Sequence, residues 1–153
     1  MLAIAIAKYF KIKEKNIFKS IESYKPNNNR SQVVDSGNNL IILDAYNANP
    51  SSMNKMINSF YKIKKENKIC ILGDMGELGK FSQNEHSGII NLINSLNITT
   101  YFIGAEFYKA TNNNSFENIE DFKDFLNTNT ISNSTILIKG SRSQQLEKLV
   151  DLL

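Results

Sequence analysis

What this sequence lacks narrows its chemistry first. It has a single cysteine, Cys70, and a single histidine, His86. One thiol rules out a disulfide framework, and one thiol with one imidazole rules out a four-ligand Cys/His zinc site. A lone thiol inside an apolar run suits a reducing compartment. Long hydrophobic runs are missing too. The longest near the start, Leu2 to Ala7, is far too short to cross a bilayer and leads into Lys8. No basic stretch precedes it and no small-residue cleavage motif follows, so it does not read as a secretory signal, and the expected location is cytoplasmic, with no membrane partner. The net charge is only +3, which falls short of the clustered basic stripe of a nucleic-acid binder, and no nucleic-acid partner is expected. Arginine is scarce: Arg30 and Arg142 stand against sixteen lysines, which makes Arg142, after the last predicted strand, notable for bidentate carboxylate contacts that lysine cannot make.

What is present suffices for one packed domain, or one domain with a small appendage. Of 153 residues, 41% are hydrophobic, enough to bury a core without a disulfide or metal staple. Two short helical patterns open the chain. Leu2–Ile12 is apolar on nearly every side and is expected to be buried against something. Glu14–Tyr24 places Ile17, Phe18, Ile21 and Tyr24 at helical spacing, and Pro26 with Asn27, Asn28 and Asn29 is expected to stop it. The pattern then alternates. Strands are predicted at 39–44, 68–73, 99–104 and 135–140, and helices at 51–66, 83–96, 119–126 and 143–153, with Val33-Val34 as a further, antiparallel edge strand. Apolar strands separated by amphipathic helices predict an α/β fold: a Rossmann-like, open, mainly parallel sheet with helices on both faces, preceded by the two short helices. Right-handed crossovers put all the strand C-termini on one edge, where such sheets bind ligands. The distinctive polar segments all follow predicted strands: Asp44–Pro50, Gly73–Gly79, Gly104–Glu106 and Lys139–Ser143. Four loops on one edge predict a composite site.

Each segment also has a plainer reading. In 44–53, Asn49 before Pro50 is explained by a helix N-cap followed by proline at the first helical position. Asp44, Tyr46 and Asn47 are not explained that way; a ligand role, with the acid accepting from ribose hydroxyls, stays open beside a structural one. The glycines of 73–79 match neither a P-loop nor a dinucleotide fingerprint, and Asp74 and Glu77 would repel phosphate, so an architectural turn using positive φ is the expectation. Ser82 to Glu85 has the form of a capping box, as does Ser141 with Gln144. His86 has no serine or cysteine partner as a base and is expected to be structural, orienting the neighbouring loop. Lys139–Ser143 opens a predicted helix, so its free N–H groups, with Ser141 and Arg142, suit a carboxylate or phosphate. Arg30 by itself reads as a hinge residue.

Taken in order, Tyr24-x-Pro26, Asn29–Gln32, Asp44–Met53, Leu72–Gly79, His86 and Lys139–Arg142 resemble the C-terminal part of the Mur ligases, along the whole chain. The YNANP, GDM-x-ELG and KGSR segments are similar to the branch that adds a dipeptide. The resemblance implies an ATP-dependent, peptide-bond-forming ligase of three domains. Residues 1–29 would be the terminal helices of the ATP-binding central domain with a linker, and residues 30–153 the C-terminal Rossmann-like domain. The implied substrates are UDP-MurNAc-tripeptide, reached through the other domains, and D-alanyl-D-alanine. The implied cofactors are ATP and Mg2+, held mainly by the central domain, with no metal ligand in this chain. By matching position, Arg30 would reach the ATP phosphates as a catalytic residue. Asp44 would hold the ribose, with Tyr46, Asn47 and Asn49 beside the nucleotide. Lys139, Ser141 and Arg142 would bind the dipeptide end. Many family members carry an acid where this chain has Leu43. Alone, the chain is expected to be inactive. The competing readings are a stand-alone nucleotide- or carboxylate-binding module, and a Mur ligase adding a different amino acid.

Overall fold

A computed structural model describes residues 2–24 and 28–153. Pro26 and Asn27, expected to stop the second helix, lie outside the described residues. Helices α1 (Leu2–Tyr9) and α2 (Glu14–Ser23) form a hairpin whose turn places Lys11 at φ 54 and joins Lys8 to Glu14 by an ion pair of 3.0 Å. The expected burial of the first helix is not found. α1 buries none of its residues, and Leu2, Ile6, Tyr9 and Phe10 stand exposed. A segment apolar on every side cannot be covered by one neighbouring helix, and α2 itself buries only Ile17.

The remaining chain builds the expected α/β layers. β1 (Gln32–Asp35), β2 (Asn39–Asp44), α3 (Pro50–Tyr61), β3 (Lys68–Gly73), α4 (Ser82–Leu96), β4 (Thr99–Ile103), α5 (Ala105–Ala110), β5 (Ser115–Phe116), α6 (Ile119–Thr128) and β6 (Ser134–Lys139) follow in order. The sheet order is β1-β2-β6-β3-β4-β5. β1 is antiparallel to β2, as Val33-Val34 suggested, and every other pairing is parallel. β6 is buried along its whole length, which its central position requires, because both of its faces are covered.

Handedness decides which helix covers which face. The chain moves from β2 past β6 to β3, then outward to β4 and β5, so α3, α4 and α5 lie on one face. They seal a core of Met53, Ile57, Phe60, Ile89, Ile93 and Phe107 over Cys70, Leu72 and Leu137. The return from β5 to β6 runs the opposite way. It places α6 and the C-terminal segment on the other face, around Ile41, Ile71, Phe122, Ile136, Ile138, Leu146 and Leu149.

Two predicted helices differ in form. α3 ends at Tyr61 and not at Glu66; two tight turns follow, and Ile63 still packs on the core from outside the helix. The expected closing helix is a pair of 3-10 turns, Arg142–Gln144 and Leu146–Leu152, divided by Gln145 at φ 51. Leu146 and Leu149 are both buried, and spacing of three is the repeat that stacks side chains along a 3-10 helix.

Candidate functional site

β6 sits between β2 and β3, but the chain leaves it toward the opposite face. β2 and β3 both lead to helices on the α3/α4 side, whereas β6 leads to the α6 side. Such divergence opens a crevice beyond the strand C-termini. A cavity of about 440 Å³ occupies it, lined by Tyr46, Asn47, Ala48 and Asn49 after β2, Gly76, Glu77 and Leu78 after β3, and Ser141, Arg142 and Ser143 after β6. Three of the four expected loops meet there. The fourth, Gly104–Glu106, does not line the cavity.

That fourth loop is held from below by Asp74. The carboxylate accepts from the backbone N–H groups of Glu106 and Phe107, both at 2.9 Å, so it caps the start of α5. Gly104 lies at φ 122, and a Cβ there would collide with the Asp74 carboxylate. His86 completes the support. It is wholly buried, its Nε2 accepts from Met75 N–H at 3.1 Å, and its Nδ1 therefore donates to the Ser82 carbonyl at 2.7 Å. Both nitrogens are occupied, so His86 orients the loop after β3, as expected, and has no face toward the cavity. The positive φ values expected of this loop's glycines fall on Glu77 (φ 61) and Gly79 (φ 52). Gly73 and Gly140 answer a different need: a Cβ on either would come within 2.9 or 2.8 Å of Leu146 Cδ1, which seats beneath both strand ends.

Asn49 caps α3 reciprocally with Ser52, accepting from its N–H at 2.9 Å. Ser82 does not cap α4; its hydroxyl donates to Glu106 Oε2 at 2.6 Å, and α4 follows directly from a 3-10 turn. Hydrogen bonds from Ser82 and then Lys109 hold the Glu106 carboxyl below its ordinary range. Ser141 caps nothing either, because its hydroxyl pairs with that of Ser143 at 2.9 Å. The segment after β6 is a three-residue 3-10 turn, so the helix dipole expected there is absent. The polar groups it offers are Arg142 and the hydroxyls of Ser141 and Ser143.

The eight expected site residues occupy three levels. Tyr46, Asn47, Asn49, Ser141 and Arg142 line the cavity. Arg30 is exposed at its rim, with its guanidinium carbon 3.9 Å from the centre of the Tyr46 ring. Asp44 and Lys139 lie beneath. Lys139 is fully buried; its ammonium donates to Asp44 Oδ2 at 2.6 Å and to the Asn47 carbonyl at 3.1 Å. Lys139 therefore does not reach the cavity as a free cation, which corrects its expected direct contact with the dipeptide. It ties the loop after β2 to β6. Asp44 Oδ1 accepts from Ser31 N–H at 3.1 Å, which fixes the segment carrying Arg30. Leu43, one residue earlier, points into the α6-side core, where an acid would be buried among apolar side chains. Glu77 lines the cavity although the sequence reading set it aside as hostile to phosphate. Its backbone is left-handed (φ 61), a conformation the sequence expectation had given to the loop's glycines.

Among the described residues, no cluster of three or more His, Cys, Asp or Glu side chains could hold a metal ion. No helix among them is long and apolar enough to cross a membrane.

Comparisons with known proteins agree with this fold. The model of the Mur ligase glutamate ligase domain matches residues 29–142. A UDP-N-acetylmuramoyl-tripeptide–D-alanyl-D-alanine ligase from Treponema pallidum is 31% identical over all of this chain and 36% of its own length. The enzyme of the same name from Buchnera aphidicola (subsp. Acyrthosiphon pisum) is 36% identical over 74% of this chain and 26% of its own length. The crystal structure of MurF from Acinetobacter baumannii superimposes with a TM-score of 0.79 at 26% identity, covering 95% of this chain and 35% of that one. The MurF ligase of Thermotoga maritima in complex with ADP shares the fold, with a TM-score of 0.70 at 21% identity over 90% of this chain and 35% of that one. The chain spans about a third of the length of these relatives.

Proposed function

This chain belongs to the Mur ligase family, and from that premise we propose that it is the C-terminal domain of an ATP-dependent, cytoplasmic ligase that joins D-alanyl-D-alanine to UDP-MurNAc-tripeptide. The observation that carries this reading is the cavity at the β2/β6/β3 edge. Arg142, Ser141 and Ser143 line it after β6 and Glu77 after β3, with Arg30 at the rim. A dipeptide zwitterion has matching poles. Its carboxylate suits the guanidinium and hydroxyls, and its ammonium suits Glu77 until the amine is needed as a nucleophile. The rim position of Arg30 suits an anion arriving from outside the cavity, such as the phosphates of a nucleotide held by a facing domain. Tyr46, Asn47 and Asn49 lie between the two. Asn49 has its amide N–H groups left for a ligand, because its side-chain oxygen is engaged by Ser52.

ATP and Mg2+ would supply activation of the tripeptide carboxylate as an acyl phosphate, and magnesium ligation would fall to the facing domain. This chain's own residues would bind and aim the dipeptide, stabilise charge through Arg30, and exclude water from a labile acyl phosphate on closure. Residues 30–153 form the closing domain in this reading. Residues 1–29, with their uncovered apolar helices, belong to the preceding one. Asp44 keeps part of its surface, so it remains able to accept from ribose hydroxyls while paired with Lys139.

The test uses the complete protein that carries this domain. With ATP, Mg2+, UDP-MurNAc-tripeptide and D-alanyl-D-alanine, mass spectrometry should find the UDP-MurNAc-pentapeptide, and the 153-residue chain by itself should release no phosphate. Sustained turnover by the short chain would sink the closing-domain reading. A complete enzyme that accepts a single amino acid and refuses the dipeptide would reassign the substrate.

A further inference from the structure

The chain's two arginines converge on one aromatic ring. The guanidinium carbon of Arg30 lies 3.9 Å from the centre of the Tyr46 ring, and that of Arg142 lies 5.4 Å from it. They come from distant parts of the sequence, one before β1 and the other after β6, and both are exposed. Two like charges brought together at a surface repel, so their convergence needs an attractive plate between or beneath them. The π-face of a tyrosine supplies it. Tyr46 is itself 38% exposed and belongs to neither core cluster. Its position is fixed from below instead, by the buried contact of Lys139 with Asp44 and the Asn47 carbonyl on either side of it.

We propose that Tyr46 is a positioning residue, whose ring gathers Arg30 and Arg142 into one anion-binding pair at the cavity rim. Arg30 faces the nucleotide phosphates and Arg142 the dipeptide carboxylate, and an anion at either guanidinium relieves part of the repulsion that the ring alone offsets. The inference rests on the proposed roles of the two arginines but goes beyond them. It makes the nucleotide side and the dipeptide side of the site share one support, so that loss of the ring weakens both.

Because the chain has only two arginines, its side-chain Nε–Hε spectrum contains two signals, each a direct reporter. The experiment compares the 153-residue chain with its Tyr46→Phe and Tyr46→Leu variants, titrated with inorganic pyrophosphate. The ring current of Tyr46 should displace both signals in the wild type and in Tyr46→Phe, and both should move together on titration. In Tyr46→Leu they should return to free-arginine positions, and pyrophosphate affinity should fall at least about fivefold. Retained burial of Cys70 against thiol reagents checks that each variant is folded. Unchanged arginine signals in Tyr46→Leu, or equal affinity in all three proteins, would overturn the inference. A wild-type chain that gives no response to pyrophosphate would overturn the shared anion pair. Failure of the proposed ligase activity is a separate result, because it would leave the ring-current shifts in place.

Discussion

Lys139 shows how a residue expected at the ligand surface can instead be drawn beneath it. Its place beside Ser141 and Arg142 suggests a surface anion pocket, yet the parallel register pairs Lys139 with Asp44 on β2 and with Leu72 on β3. A residue between two strands at the centre of a sheet is buried, and a buried ammonium needs a carboxylate. Replacing Lys139 by Met should leave Asp44 with only the Ser31 N–H. Since Asp44 keeps contact with solvent, the loss is smaller than for a fully buried pair, about 1–3 kcal/mol, read as a lower midpoint in urea. A midpoint equal to that of the wild type would show that the pair contributes no net stability. Cys70 gives a second test at this scale. Burial pushes its thiol up to about 12, and the residue is wholly inaccessible. The native chain should resist iodoacetamide at pH 8 and react only as it unfolds. The sign of the linkage follows. Between the ordinary thiol range near 9 and about 12, the unfolded chain loses the proton that the folded chain keeps, so stability falls as pH rises through that window. A Cys70→Ala variant should lose that slope, though the cavity it leaves lowers stability at every pH.

At the scale of elements, the strands were the most legible parts. Asn39–Asp44 and Lys68–Gly73 form over the predicted residues, because a short, wholly apolar run bounded by turn residues has few other uses. Helix ends and caps were less legible. Ser82 has the spacing of a capping box, but its hydroxyl is taken by Glu106, twenty-four positions on, and no local pattern reports that. The closing segment has the leucines of a helix, yet the left-handed Gln145 and the seat that Leu146 finds against Gly73 and Gly140 set it as 3-10. The site was legible as a set of loops on one edge and not as a set of contacts. Which loops line the cavity depends on β6 being inserted between β2 and β3, and that order is set by the whole sheet. Asp74 and Gly104 illustrate the same point. The acid of the GDM segment works as a cap for α5, across the top of β4. Gly104→Ala should cost about 2–4 kcal/mol, since it combines a positive-φ backbone that disfavours a side chain with a collision against Asp74. Gly88→Ala in α4, where a Cβ meets nothing within 4 Å, should be neutral or slightly stabilising. Equal melting temperatures for the two variants would count against the Asp74 capping arrangement.

For the whole molecule, the question is which residues fold as a unit. Both cores lie within residues 41–153, one on each face of the sheet. The segment from Arg30 onward is tied to them by the stack of Arg30 on Tyr46 and by Ser31 N–H donating to Asp44. Among the described residues, the helical hairpin of α1 and α2 has no comparable anchor. Ile17 is the one side chain it buries, while Leu2, Ile6, Tyr9, Phe10, Phe18 and Ile21 face outward. Short helices with so little tertiary packing are marginal by themselves. Backbone amides at 2–24 should therefore exchange with deuterium far faster than those of β2, β3 and β6, which should exchange only through global unfolding. Deleting residues 1–28 should leave the midpoint of the remaining chain within about 2 °C of the original, since little buried surface is lost. It should also reduce self-association by removing the exposed apolar side chains. If the deletion instead unfolds the sheet, the hairpin is part of the closing domain, and the boundary proposed at residue 30 moves toward the start of the chain. If the midpoint holds, the hairpin is free to belong to a neighbouring domain, and Arg30, tied to the sheet through Tyr46, is placed to move with the sheet in the proposed closure.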